Sequence, residues 1–148
     1  MATDKPKTPV PVEERATIAR AVHRWLNSYP QKPVKKIDYE YLNEAGMTVS
    51  AIQSPYRTKS FIDGTYQAQY QVYVIYRDIP ATTDARLKMD EDLDRLAAWA
   101  ETNLPDLGKF TALKVEIPNN SAISVRYEDG MEDHQIQINI NYEVKKYA

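Results

Sequence analysis

The sequence predicts an α+β fold: a twisted, mostly antiparallel sheet of about six strands with two helices on one face. Three observations carry this. Apolar residues recur at a helical period in two stretches only, around residues 13–28 and 82–103. Other stretches alternate apolar with polar, the period of a strand covered on one side. The order is helix, three strands, helix, three strands, with short turns between most neighbouring strands, which favours antiparallel pairing.

Each element has its own signal. Residues 1–12 carry Pro6, Pro9 and Pro11, which remove backbone donors and fix φ, so they read as a flexible N-terminal arm ahead of a single domain over residues 13–148. Ile18, Val22, Trp25, Leu26 and Tyr29 then fall on one helical face, Glu13 and Glu14 suit the first turn, and Pro30 and Pro33 forbid continuation. Residues 36–42 alternate through Ile37, Tyr39 and Tyr41, and residues 47–53 through Met47, Val49 and Ala51. A loop is expected over residues 54–64. The clearest strand follows at 65–77, with Tyr66, Ala68, Tyr70, Val72, Val74 and Tyr76 on one face and Gln67, Gln69 and Gln71 on the other.

Pro80 ends that strand, and Thr82, Thr83 and Asp84 are good N-cap types for the second helix. Its expected buried stripe is Met89, Leu93, Leu96, Ala97, Ala100 and Leu104, with Trp99 at the border. Strands are expected at 110–117, 121–127 and 135–144, separated by the turn residues Pro118, Asn119, Asn120, Asp129 and Gly130.

Composition narrows function mainly by exclusion. The chain has 148 residues, 43% hydrophobic and 27% charged, and at this size a folded chain buries about 68–70% of its unfolded surface without needing a staple. It has no cysteine, which excludes disulfides, thiolate metal sites and a thiol nucleophile. A net charge of -2 argues against a basic nucleic-acid binder. No apolar run approaches the roughly 18 residues of a membrane span, so the sequence predicts a soluble protein without a signal peptide. Charge is uneven: residues 1–60 hold 10 Lys and Arg against 6 Asp and Glu, whereas residues 61–148 hold 9 against 15.

Chemical signatures are missing. Gly108-Lys109-Phe110 lacks the preceding glycine and the following hydroxyl of a phosphate loop, no serine sits in a nucleophile elbow, and the two histidines, His23 and His134, read as structural or solvated. Arg86 with Asp90, Lys88 with Asp92 and Glu91 with Arg95 are spaced as pairs on the outer face of a helix, which accounts for the acidic cluster there. No catalytic, cofactor-binding or metal-binding residue is assigned, no cofactor is expected, and the chain is not expected to be an enzyme.

Two features stand out against this background. There are 11 tyrosines against 2 phenylalanines, concentrated in the central strands, and the second sheet face is lined by uncharged Gln and Asn. Both suit a sheet that meets another protein surface. The 54–64 loop adds Tyr56, Arg57, Lys59 and Phe61, residue types that favour protein interfaces, and these four are the candidate contact residues.

The segments Asp38-Tyr39-Glu40-Tyr41-Leu42, Val49-Ser50-Ala51-Ile52-Gln53, Lys59-Ser60-Phe61-Ile62-Asp63-Gly64-Thr65-Tyr66 and Gln69-Tyr70-Gln71-Val72 resemble, in that order, the small minor capsid proteins of long-tailed bacteriophages. The likeness continues through Leu96-Ala97-Ala98-Trp99-Ala100-Glu101 and Leu104-Pro105-Asp106-Leu107 to the alternating last strand, over roughly residues 15 to 145. The Pro-rich arm and the basic stretch from Pro55 to Lys59 depart from the family pattern.

The resemblance implies a tail terminator, a virion structural protein whose homo-hexameric ring caps the tail tube and joins it to the head. Its implied partners are further copies of itself, the tail tube protein and the head-tail connector or stopper protein. Genomic DNA would pass through the ring without sequence-specific binding, and no membrane is involved. The implied location is the virion, at the head-tail interface, and the host cytoplasm during assembly. The alternative is a small non-virion binding module or enzyme that uses the sheet face or the 54–64 loop for a ligand.

Overall fold

A computed structural model describes residues 8–145. The elements run β1 (Thr8–Pro9), α1 (Val12–Asn27), β2 (Ile37–Tyr39), β3 (Gly46–Ser60), β4 (Tyr66–Asp78), α2 (Thr83–Thr102), β5 (Thr111–Glu116), β6 (Ala122–Arg126) and β7 (Glu132–Val144). The fold is α+β, with one open, twisted sheet in the order β1-β3-β4-β7-β5. The short strand β2 shares the outer edge of β3 with β1, and β6 shares the outer edge of β7 with β5. Pairing is antiparallel throughout except between β2 and β3.

Alternation builds the core. Tyr66, Ala68, Tyr70, Val72 and Val74 of β4 lie beside Ile136, Ile138, Ile140 and Tyr142 of β7, and all are buried against the helices. From α1 come Ile18, Ala21, Val22, Trp25 and Leu26, and from α2 Leu93, Leu96, Ala97 and Ala100, within one hydrophobic cluster. Trp25 stacks on Trp99 with ring centroids 5.6 Å apart, and its Nε1 donates to the Asn103 carbonyl at 2.6 Å, which fastens the two helices together. Trp25 is buried, whereas Trp99 is a half-buried outer layer of that stack. The Thr82 hydroxyl accepts from the Ala85 amide at 3.1 Å, so α2 begins with the cap its sequence offers.

Three expectations are corrected. The loop expected over residues 54–64 is strand as far as Ser60, and only residues 61–65 form the turn. Pro55 does not stop the strand because it lies in an irregular stretch of β3, between the Gln53 and Tyr56 pairings, where no ladder donor is needed. The strand expected over 36–42 shrinks to Ile37–Tyr39 and runs parallel to β3, with Ile37 opposite Met47 and Tyr39 opposite Val49. Of the expected N-terminal arm, residues 1–7 lie outside the described residues, Thr8–Pro9 pairs with Tyr56 and Arg57 as a seventh strand, and α1 opens at Val12.

The outer edge of β3 is closed to further pairing. Glu40 adopts φ 52, and its amide donates to the Val49 carbonyl at 2.9 Å. Its side-chain Oε1 then accepts from the Ala51 amide at 3.2 Å, one step beyond the end of β2. Pro55 has no donor to offer, and the register shifts on either side of Gln53 bend the strand. Sheet extension from this edge is therefore disfavoured.

Candidate functional site

Neither helix covers the second face of the sheet. Register sets its pattern: Tyr56 of β3 stands opposite Gln69 of β4, which stands opposite Asn141 of β7, and Gln53, Gln71 and Asn139 form the next row. The side chains bond across these rows. The Tyr56 hydroxyl donates to Gln69 Oε1 at 2.8 Å, Gln69 Nε2 to Asn141 Oδ1 at 3.0 Å, and Asn141 Nδ2 to Glu116 Oε1 at 2.8 Å. Gln53 Nε2 donates to Gln71 Oε1 at 2.8 Å, and Gln71 Nε2 to Gln69 Oε1 at 2.7 Å. Gln137 Nε2 reaches Asn139 Oδ1 at 2.9 Å.

The Gln, Asn and Tyr groups in these rows are half-buried and uncharged, and the exposed Glu116 carboxylate closes one end. Amides that bond to one another are held in fixed rotamers, so a partner docking here would order few additional side chains. Such a face can exchange hydrogen bonds with a flat polar surface at small entropic cost.

The four candidate contact residues do not form one loop cluster. Tyr56 belongs to the amide rows, and Lys59 shares that face opposite Gln67. Lys59 Nζ sits 5.1 Å from the centre of the Phe61 ring, which is 39% exposed in the turn. Arg57 points the other way, pairs with Ala68 in register and stacks over the Tyr66 ring at 4.2 Å. The structure thus joins Lys59 with Phe61, places Tyr56 on the same face and separates Arg57. The residue between Phe61 and Asp63, Ile62, is fully exposed. It is not among the candidate contact residues because an isolated isoleucine beside a glycine turn carries no interface pattern.

Two buried polar clusters were also hidden in the sequence. Glu14 of α1 is buried, and its carboxyl accepts from the hydroxyls of Tyr66 and Tyr142, the latter at 2.7 Å. Burial, reinforced by Glu14, pushes the Tyr66 phenol up to about 12 and raises that of Tyr142 as well.

The second cluster ties α2 to the start of β7. His134 is buried, with Nδ1 2.7 Å from Asp90 Oδ1 and Nε2 3.0 Å from Glu132 Oε1. Arg86 Nε donates to Glu132 at 2.7 Å, and Ser121 Oγ donates to Asp90 Oδ1 at 3.0 Å. On the opposite face Arg77 makes a two-pronged contact with Asp133 at 2.7 and 2.9 Å, and the Tyr127 hydroxyl donates to the same carboxylate at 2.8 Å. Burial alone would raise Glu132 and Asp133, but these hydrogen bonds and charges outweigh it and hold both carboxyls below their ordinary range.

Serine, aspartate and histidine meet here, yet the order is wrong for nucleophilic catalysis. Ser121 bonds to Asp90 rather than to the imidazole, and both ring nitrogens already face carboxylates. The cluster works as a tether. Of the helix pairs expected on α2, Lys88 with Asp92 and Glu91 with Arg95 form, at 3.5 and 3.9 Å, whereas Arg86 and Asp90 turn inward to Glu132 and His134.

His23 is a second structural histidine. Its Nε2 lies 2.7 Å from the Ile37 carbonyl, while Asn27 accepts from the Ile37 amide at 2.7 Å and donates to the Ile37 carbonyl at 3.0 Å. The Asn27 amide stands in for a neighbouring strand and clamps β2 to α1. No protein-family model and no curated protein matches the chain.

Proposed function

We propose that the chain is a virion structural protein, a tail terminator whose ring caps the tail tube and joins it to the head connector. The order of segments that resembles the minor capsid proteins of long-tailed phages supports the role. The observation in the fold that supports it most is the uncovered face of cross-bonded Gln, Asn and Tyr side chains. A solvated face is expected to favour Lys, Glu and Thr, whereas an ordered, mostly uncharged one suits contact with a flat protein surface. On this reading the partners are other copies of the subunit, the tube protein and the connector, and the DNA passes through the ring without base-specific contact.

Native mass measurement of the purified chain, with images of the particles, tests the ring directly; a closed oligomer of about six copies is expected, as homo-oligomers close by symmetry. Complementation of a deletion phage by Tyr56→Ala/Lys59→Ala tests the face. Circular dichroism unchanged from wild type with a loss of joined heads and tails is the expected result. Full yield of infectious particles would remove the open face from the reading.

A further inference from the structure

The turn between β3 and β4 is rigidly built. The Phe61 amide donates to the Thr65 carbonyl at 2.8 Å, Gly64 returns to the Phe61 carbonyl at 3.1 Å, and the Thr65 amide donates to Asp63 Oδ1 at 2.9 Å. Gly64 takes φ 90, which a side chain would oppose. A fixed turn thus holds out a fully exposed Ile62 beside a partly exposed Phe61, with one acid, Asp63, at its tip. An exposed apolar pair on an ordered turn is costly in water and gains by insertion elsewhere.

The same chain carries a matching recess. Ala16, Ala19 and Arg20 of α1, with His23 and Tyr39, line a groove of about 370 Å³. The two alanines leave its floor low. The His23 ring meets Tyr39 edge-on at 6.1 Å, and its Nε2 is committed to Ile37, so the wall it offers is largely carbon. Arg20 is exposed at the rim and has no ion-pair partner among the described residues. The groove therefore offers a concave apolar floor and one cation, and the turn offers a convex apolar tip and one anion.

Within one subunit Ile62 is fully exposed, so its own groove does not receive it. We propose that Phe61 and Ile62 of one subunit seat in the Ala16, Ala19, His23 and Tyr39 groove of a second copy, with Asp63 paired to Arg20. Tip and groove are different surfaces, so the contact is heterologous, and successive copies add head to tail until a ring closes. This rests on the ring reading and deepens it by naming the surfaces that meet.

The chain has no cysteine, so a disulfide can be placed without background. Ile62→Cys and Ala16→Cys subunits, mixed and mildly oxidised, are expected to form covalent dimers containing one of each, well above either variant alone. Asp63→Arg and Arg20→Glu are each expected to weaken association about tenfold, and together to restore it, because reversing both charges restores the attraction. Circular dichroism on each variant establishes that the subunit is folded. Wild-type oligomers without mixed cross-links or charge-swap rescue would overturn the tip-and-groove contact and leave the ring reading standing. A wild-type chain that stays monomeric at every concentration would overturn both.

Discussion

Replacing Glu14 by Ala removes the acceptor for two buried phenol O–H groups, and Arg57 beside Tyr66 can only donate. Tyr142 has no exposed surface and Tyr66 is 7% exposed, so water cannot substitute for the carboxyl. Each buried hydroxyl left without a partner costs about 1–3 kcal/mol, which places Glu14→Ala near 4 kcal/mol in total. For a domain of this size that is a fall in Tm of roughly 8–16 °C. The informative comparison is Glu14→Leu combined with Tyr66→Phe and Tyr142→Phe, which deletes the polar groups together. With nothing left unsatisfied, that variant should lie within about 1–2 kcal/mol of wild type and above the single mutant. Urea and thermal unfolding followed by circular dichroism measure both. A Glu14→Ala protein within about 0.5 kcal/mol of wild type, or a triple variant less stable than the single one, would refute the reasoning.

Acid should loosen the start of β7, where Glu132 ties it to α2 and Asp133 ties it to Arg77 of β4. Glu132 and Asp133 have folded-state values below their ordinary 4.5 and 3.8, so the stability they supply is present above those values and lost as pH falls through the lowered ones. Asp133→Asn should flatten stability against pH in that range, as measured by urea midpoints. In alkali the sign reverses for Tyr66: its raised value means stability is intact below 10 and lost as pH climbs toward about 12, so a tyrosinate absorbance step should coincide with unfolding. Trp25→Ala should cost roughly 3–5 kcal/mol, because it removes a buried ring, its stack on Trp99 and its bond to Asn103. An unchanged thermal midpoint would place that ring outside the core.

Periodicity made the framework legible. The stripe Ile18, Val22, Trp25, Leu26 and Tyr29 is buried as a set, and so are the alternating residues of β4 and β7 except Tyr76 and Val144 at the strand ends, which are half-buried, because one covered face imposes one period. On α2 the stripe holds except at Leu104, which is 47% exposed beyond the end of the helix. Local signals failed where tertiary pairing decided. Pro55 and the basic residues after it read as a loop, but β4 pairs with β3 on both sides of the proline, from Gly46 opposite Arg77 to Ser60 opposite Tyr66, and an irregular stretch accommodates it. The last strand, expected from residue 135, begins at Glu132, because Arg86 and Arg77 neutralise Glu132 and Asp133 and let β7 start there.

The site was less visible for a related reason. The bond from Tyr142 to Glu14 spans 128 positions, and His134 and Asp90 are 44 apart. No spacing rule links such residues, because only the fold brings them together. The amide face was legible as a run of Gln and Asn, but the cross-strand bonds that order it depend on register, which a single sequence does not display.

The position of β7 in the sheet has a consequence for biosynthesis. It bonds to β4 along its whole length on one side and to both β5 and β6 on the other, yet it follows all of them in chain order. While a nascent chain emerges, β4 presents thirteen residues of open ladder, and β5 and β6 have no strand to join. Folding of the whole sheet is therefore held back until residues 132–144 are free, a long-range closure of the kind that slows folding. A product broken off before this strand would expose the β4 edge and invite association with other unfinished chains.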